Sequence, residues 1–453
     1  MKKSLKLRLS TTQIIMLSFL VVILMGTWLL SLPLSAADGA SVGWMDALFT
    51  ATSATCVTGL VTLTTASAWS TFGHAVILLL IQVGGLGVIT IVSATMILLH
   101  KRMGFGDRLL LQDAFNLNSL EGIVRFVKKV MLGTFLVEGL GALLYMTVFV
   151  PQFGLRGIWI SVFNSVSAFC NAGMDIIGEN SLGDYAVDPL VNTVTALLII
   201  LGGIGYIVWW DVRSVVKKSG HKNMRIFRRL TLHSKIAIVT TLILIFGGGA
   251  LILLFEYDNP LTLGNLSGWD KIQVALFQSV TTRTAGFATI PQQNLTNASS
   301  LVCLMLMFIG GSPVGTAGGI KTVTLAVLAA SAMASIRNKN EVVLFQRNVS
   351  RQAINKAVAV TVMAFAILFA STLLLSAVME ADVMDIFYET VSAAATVGLS
   401  RNLTPSLNAA GKLIIIGTMY LGRVGPISLA IALNSHKIQK NVVKNPTEEI
   451  SVG

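Results

Sequence analysis

Four short stretches decide the reading of this chain: Ser53-Ala-Thr-Cys-Val-Thr-Gly59-Leu60, Ser167-Ala-Phe-Cys-Asn-Ala-Gly173-Met174, Val280-Thr-Thr-Arg-Thr-Ala-Gly286-Phe287 and Ser392-Ala-Ala-Ala-Thr-Val-Gly398-Leu399. Their glycines stand 114, 113 and 112 residues apart. Internal periods set the architecture before other features do, and four such units fill the 453 residues. Each stretch closes a short amphipathic segment and is followed by a second marker: Val83-Gly-Gly-Leu-Gly87, Leu201-Gly-Gly-Ile-Gly205, Ile309-Gly-Gly-Ser-Pro313 and Leu421-Gly-Arg-Val-Gly425. Each unit therefore reads as helix, half-helix, glycine turn, helix.

Apolar runs of spanning length, about 20 residues, surround these motifs at roughly 14–34, 72–99, 130–150, 189–210, 236–256, 301–335, 357–379 and 411–434. Two spans per unit return the chain to the same side, so successive units are parallel. Asp46 and Asp385 suit half-helix starts, and Phe49, Phe163 and Phe277 wedge the segments among the long helices. Hydrophobic residues are 54% and charged residues 12% of the chain, where soluble proteins have roughly 45–50% and about 25%. That excludes a disordered chain, a collagen and a disulfide scaffold. The first run lacks a small-x-small cleavage site around Leu32-Pro33-Leu34 and reads as a helix, not a signal peptide. Cys56, Cys170 and Cys303 are too few and too scattered for a framework and read as buried free thiols.

Basic and acidic stretches alternate between the runs. Residues 2–8, 101–129, 213–235, 337–356 and 437–444 hold 26 of the 33 Lys and Arg. The other loops hold 13 of the 21 acids, among them Asp46, Asp175, Glu256, Asp385 and Glu389. The positive-inside rule then puts both termini in the cytoplasm. The net charge of +12 is a cytoplasmic rim and not a nucleic-acid footprint. The acidic outer face would concentrate cations at a pore mouth.

Non-helical backbone at membrane depth survives only if buried or lining a watery cavity. Four glycine turns at one depth around an axis can do this together, their carbonyls replacing the water around a dehydrated cation as in potassium channels. Thr396-Val397-Gly398 and Cys56-Val57-Thr58-Gly59 read like worn copies of the channel filter Thr-Val-Gly-Tyr-Gly. The candidate filter residues are Cys56, Val57, Thr58, Gly59, Cys170, Asn171, Ala172, Gly173, Arg283, Thr284, Ala285, Gly286, Ala395, Thr396, Val397 and Gly398. Glycine-mediated helix packing explains the Gly-Gly-x-Gly markers but not glycines that follow half-helices. Arg283 would repel cations if it faced the pore, so its side chain is expected behind the filter, toward an acid or a helix end.

The third unit's last helix is interrupted by Gly310, Gly311, Ser312, Pro313, Val314, Gly315, Thr316, Ala317, Gly318 and Gly319. Glycine costs a helix roughly 1 kcal/mol and proline about 3, so this loop faces a cavity below the turns. Lys321 and Arg423 lie at comparable depth, where a charge is costly and usually functional. Loop 310–321 with Arg423 is a candidate cationic gate. It is not a Walker loop, because Ile320 separates Gly319 from Lys321 and no strand precedes it. Glu138, inside a first helix, could pair with a base or a polar group. No histidine is assigned a ligand role, and no catalytic constellation is present.

The filter copies, the stretch Gly310–Thr322 and Arg423 resemble the Ktr/Trk/HKT superfamily of potassium transporters over essentially the whole chain. The likeness is greatest to its KtrB-type membrane subunits, since the first-helix extension of larger Trk proteins is absent. The resemblance implies an all-α polytopic membrane protein: four parallel helix–pore-helix–filter–helix repeats with pseudo-four-fold symmetry around one ion pore. The repeats would be 1–100, 101–212, 213–340 with the gate loop, and 341–453. It further implies K+ at the filter and no covalent cofactor, and leaves open whether Na+ is transported as well. The partners implied are a second copy of the chain and a cytosolic nucleotide-binding KtrA-type ring, docked on the loop at 101–129 and the C-terminal tail. A secondary transporter of a small solute, using the broken helix 301–335, is the alternative, but such proteins typically carry inverted repeats.

Overall fold

The computed structural model describes residues 10–100, 103–115, 122–219 and 226–425. Among these, each unit opens with a long apolar helix: Thr11–Leu30, Ile123–Phe153, Leu232–Glu256 and Arg351–Val378. Ser10 starts the first with a capping box, its Oγ accepting from the Gln13 amide while Gln13 accepts from the Ser10 amide. Most of each long helix's apolar surface is left uncovered; Met25 and Trp28 are each 60% exposed and Leu132 71%. Water would not tolerate so much contiguous apolar surface, and lipid would.

A short helix follows in every unit: Trp44–Cys56, Leu155–Cys170, Gly268–Thr281 and Val383–Ala395. Asp46 and Asp385 lie in first turns, favourable for acids at the positive end of the helix dipole. Phe49, Phe163 and Phe277 are buried as expected.

The second helices of the first and second units depart from the continuous spans read at 72–99 and 189–210. Thr71–Leu86 and Val88–Leu98 meet at 95°, as do Pro189–Gly203 and the helix that starts at Tyr206. The hinges are Gly87 and Gly205, both at positive φ, a region closed to most side chains. In the third unit, Asn297–Phe308 and Thr322–Ile336 are separated by the loop. In the fourth, Ala409–Val424 ends at Gly425, also at positive φ. The remainder of the run at 411–434, and both chain ends, lie outside the described residues.

The first glycine of the first, second and fourth markers packs helices, whereas Gly310 of the third meets the Gly318 carbonyl oxygen. A methyl group at Gly84 would lie 1.9 Å from the Thr55 carbonyl oxygen, at Gly202 1.9 Å from that of Phe169, and at Gly422 2.3 Å from that of Ala394. Each contact sits four residues before the unit's own turn glycine. In these three units the marker presses its helix onto the end of its short helix, and its last glycine, Gly87, Gly205 or Gly425, has positive φ.

The outer acids are largely consumed by the fold. Asp46 pairs with Lys412 at 2.5 Å and accepts from Thr62. Asp385 pairs with Arg401 at 2.7 Å, and Arg401 also donates to Ser300. Buried Glu389 accepts from Ser400 and Thr404, and buried Glu256 from Thr262, Thr296 and Asn259. These contacts tie the fourth unit to the first and third and hold the outer loops over the turns. The electrostatic role read for Asp46, Glu256, Asp385 and Glu389 gives way to this structural one. The chain is an all-α protein of four such repeats; its one small β-hairpin among the described residues pairs Val343–Leu344 with Arg347–Asn348.

Candidate functional site: a closed ring of glycine turns

The four turns meet. A methyl group at Gly59 would lie 2.3 Å from the Ala172 carbonyl oxygen, at Gly173 2.4 Å from that of Ala285, at Gly286 2.3 Å from that of Val397, and at Gly398 2.3 Å from that of Thr58. The contacts run from the first repeat to the second, third and fourth and back to the first. Each glycine therefore faces the carbonyl just before the next repeat's glycine, and the circle closes. All four glycines have positive φ.

Two residues before each glycine the backbone is left-handed as well: Val57 at φ 57°, Asn171 at 61°, Thr284 at 69° and Thr396 at 52°. Asparagine accepts this conformation readily, whereas for the β-branched Val57, Thr284 and Thr396 it is strained, by on the order of 1–3 kcal/mol each. Cys56, Cys170 and Ala395 are the last residues of their short helices and stand behind the turns. The cysteines are free and buried. Cys170 faces Gln82 and Glu138, and Gln82 donates to Glu138 at 3.3 Å. Glu138 thus meets polar groups and no base.

A hydroxyl fastens every turn from behind, a role that the motifs display but that sequence reasoning missed. Ser53 Oγ accepts from the Gly59 amide and Ser392 Oγ from the Gly398 amide, both at 3.0 Å. Ser167 donates to the Met174 carbonyl and Thr281 to that of Phe287. Serine or threonine recurring five or six residues before each glycine was the available signal. Removing a partner from a buried hydrogen bond costs about 1–3 kcal/mol. Ser392→Ala is therefore expected to loosen the fourth turn and lower the preference for rubidium over sodium severalfold, read as competitive uptake. Just past the second turn, burial pushes the Asp175 carboxyl up to about 6, although hydrogen bonds from Ser181 and the backbone amides of Ile177 and Gly178 oppose the shift.

Residues 310–321 lie against one side of this ring. A methyl group at Gly318 would lie 2.0 Å from Thr396 Oγ1, and one at Gly310 3.0 Å from the Thr284 methyl. The loop is held by the other repeats. Ser312 and Thr316 amides donate to the Gly203 and Gly202 carbonyls at 2.8 and 3.1 Å, Tyr206 N–H to the Val314 carbonyl at 3.0 Å, and Thr316 Oγ1 to the Phe169 carbonyl at 3.0 Å. Arg423 donates to Thr316 O at 2.6 Å and to the carbonyls of Gly84 and Gly85. Lys321 folds back onto Ala317 O at 2.5 Å and Gly318 O at 3.3 Å.

Arg283 does lie behind its turn, but an acid or a helix end is not its partner. Its Nη2 donates to Gly310 O and to Thr241 Oγ1, each at 3.4 Å. Chemically, the assembly is a ring of backbone carbonyls able to take the place of a cation's water, with a positively charged loop pressed against one side.

Comparison with known proteins agrees with this geometry. The family of cation transport proteins denoted TrkH matches residues 2–444. The chain is 37% identical to the potassium/sodium uptake protein NtpJ of Enterococcus hirae, over 100% of this chain and 99% of the relative. It is 38% identical to the Ktr system potassium uptake protein B of Bacillus subtilis, over 98% of this chain and 97% of the relative. The potassium transporter TrkH of Vibrio parahaemolyticus shares the fold, with a TM-score of 0.75 at 17% identity over 96% of this chain and 86% of that one.

Proposed function

Because the chain belongs to the TrkH family of cation transport proteins, we propose that it carries potassium into the cell through the ring of glycine turns, with loop 310–321 as its gate. Sodium is the second candidate ion, since one relative is a potassium/sodium uptake protein. The observation that carries the reading is the closure of the ring, in which one carbonyl from every repeat stands beside the preceding repeat's glycine. Such a ring lowers the cost of stripping water from a cation of matching size. The interior-negative potential supplies the drive, about 2.3 kcal/mol per 100 mV, and no energy-transducing domain is needed.

The gate reading is supported by the loop's contacts with the second and fourth repeats and by three basic side chains, Arg283, Lys321 and Arg423, on its carbonyls. Repeats of 1–100, 101–212, 213–340 and 341–453 follow from the turn spacing. Termini on the cytoplasmic side follow from the distribution of Lys and Arg. A second copy of the chain and a cytosolic nucleotide-binding ring are the proposed partners, as the Bacillus subtilis relative is named for a Ktr system.

The test is rubidium uptake by potassium-uptake-deficient cells expressing the chain. Uptake competed by potassium, together with growth at low potassium, is expected. Saturable uptake of an organic solute with no rubidium flux would replace this reading with that of a secondary transporter.

A further inference from the structure

Arg283 is 6% exposed at membrane depth, and its Nε has no hydrogen-bond partner. The ion pairs found among the described residues join Arg401 to Asp385 and Lys412 to Asp46; no carboxylate is paired with Arg283. Its equivalents three residues before the other turn glycines are Cys56, Cys170 and Ala395, all neutral. A buried cation without a counter-charge costs stability, so packing alone gives no reason for an arginine here. A cavity of about 10 Å³ adjoins the guanidinium between Thr241, Val280, Gly203 and Gly311. That space is about the size of one water, and the polar contacts of the head group are those to Gly310 and Thr241. One of these reaches the carbonyl of Gly310, the first residue of the loop.

We infer that Arg283 is a positioning residue for the loop, a strut that ties its N-terminal end to the third glycine turn. Arg423 holds the middle at Thr316, and Lys321 holds the end at Ala317 and Gly318. The loop then leaves the ring only by breaking the contact between Arg283 and Gly310 or by dragging the third turn with it. The inference rests on the gate reading above.

The experiment measures rubidium uptake per molecule at the membrane for Arg283→Gln, for the chain with residues 312–317 deleted, and for the two changes combined. Arg283→Gln is expected to raise resting uptake about tenfold, the factor that 1.4 kcal/mol of holding energy represents. In the deleted chain the same substitution should change nothing further, since residues acting through one element are not additive. Should Arg283→Gln fail to reach the membrane, Arg283→Lys, which keeps the charge and shortens the reach, is expected to give about a threefold rise that the deletion likewise abolishes. If the deletion raises uptake and neither substitution does, Arg283 is no strut and the gate reading stands. If the substitution acts equally with and without residues 312–317, it works through the turn alone and the inference fails. If the deletion itself leaves resting uptake unchanged, the gate reading fails first.

Discussion

Gly173→Ala is expected to cut rubidium uptake at least about 100-fold in protein that still reaches the membrane. The added methyl would lie 2.4 Å from the Ala285 carbonyl oxygen, 2.7 Å from the Gly286 Cα and 2.9 Å from the Gly286 carbonyl carbon. These neighbours are backbone, not the ends of flexible side chains, so relief requires the second and third turns to part. The residue would also keep a φ of +65°, which costs an alanine about 1–2 kcal/mol. Displacing one carbonyl removes part of the replacement for a cation's water, and a loss of only about 2.8 kcal/mol in the barrier gives the 100-fold drop. Uptake is to be measured against the amount of surface protein. A variant within twofold of wild type would take the glycine turns out of the conduction path.

Deleting residues 312–317 is expected to raise resting uptake about tenfold or more and leave ion preference intact. The deletion removes the contacts of Ser312 with Gly203, of Thr316 with Gly202 and Phe169, of Val314 with Tyr206 and of Arg423 with Thr316. The flanking backbone is already joined without them. Ile309 pairs with Ile320 as a parallel bridge, the Ile320 amide donates to Phe308 O and the Thr322 amide to Gly311 O, both at 3.0 Å, and Gly310 lies against Gly318. A short link between 311 and 318 therefore leaves Asn297–Phe308 and Thr322–Ile336 in place. Faster, unregulated uptake supports a gate, whereas loss of all flux in correctly inserted protein would make the loop a structural plug.

What could be read in the sequence follows from what repeats and what side chains report. The spacing of Gly59, Gly173, Gly286 and Gly398 gave the repeats, and from them the half-helices, the ring and the parallel arrangement. The hinges at Gly87 and Gly205 were hidden, because the apolar run continues through Leu86-Gly87-Val88 and hydropathy carries no information about φ. Pro313 and the glycines around it betrayed the third break through composition alone. The left-handed Val57 and Thr396 contradict local preference and were invisible for that reason; tertiary contacts impose them, as strained backbone at functional sites generally requires. The acids misled in part. Asp46, Glu256, Asp385 and Glu389 look alike as outer carboxylates, and only folding shows that each has a partner. The expected acid or helix-end partner of Arg283 gives way to a carbonyl 27 residues away, which no sequence pattern marks.

The most direct measurement compares rubidium and sodium uptake by the wild-type chain and by Gly286→Ser in one potassium-uptake-deficient cell. A carbonyl ring that needs all four glycines predicts rubidium strongly preferred by the wild type and the preference largely lost in the variant. Equal rates for the two ions in both proteins would contradict a filter at Gly59, Gly173, Gly286 and Gly398.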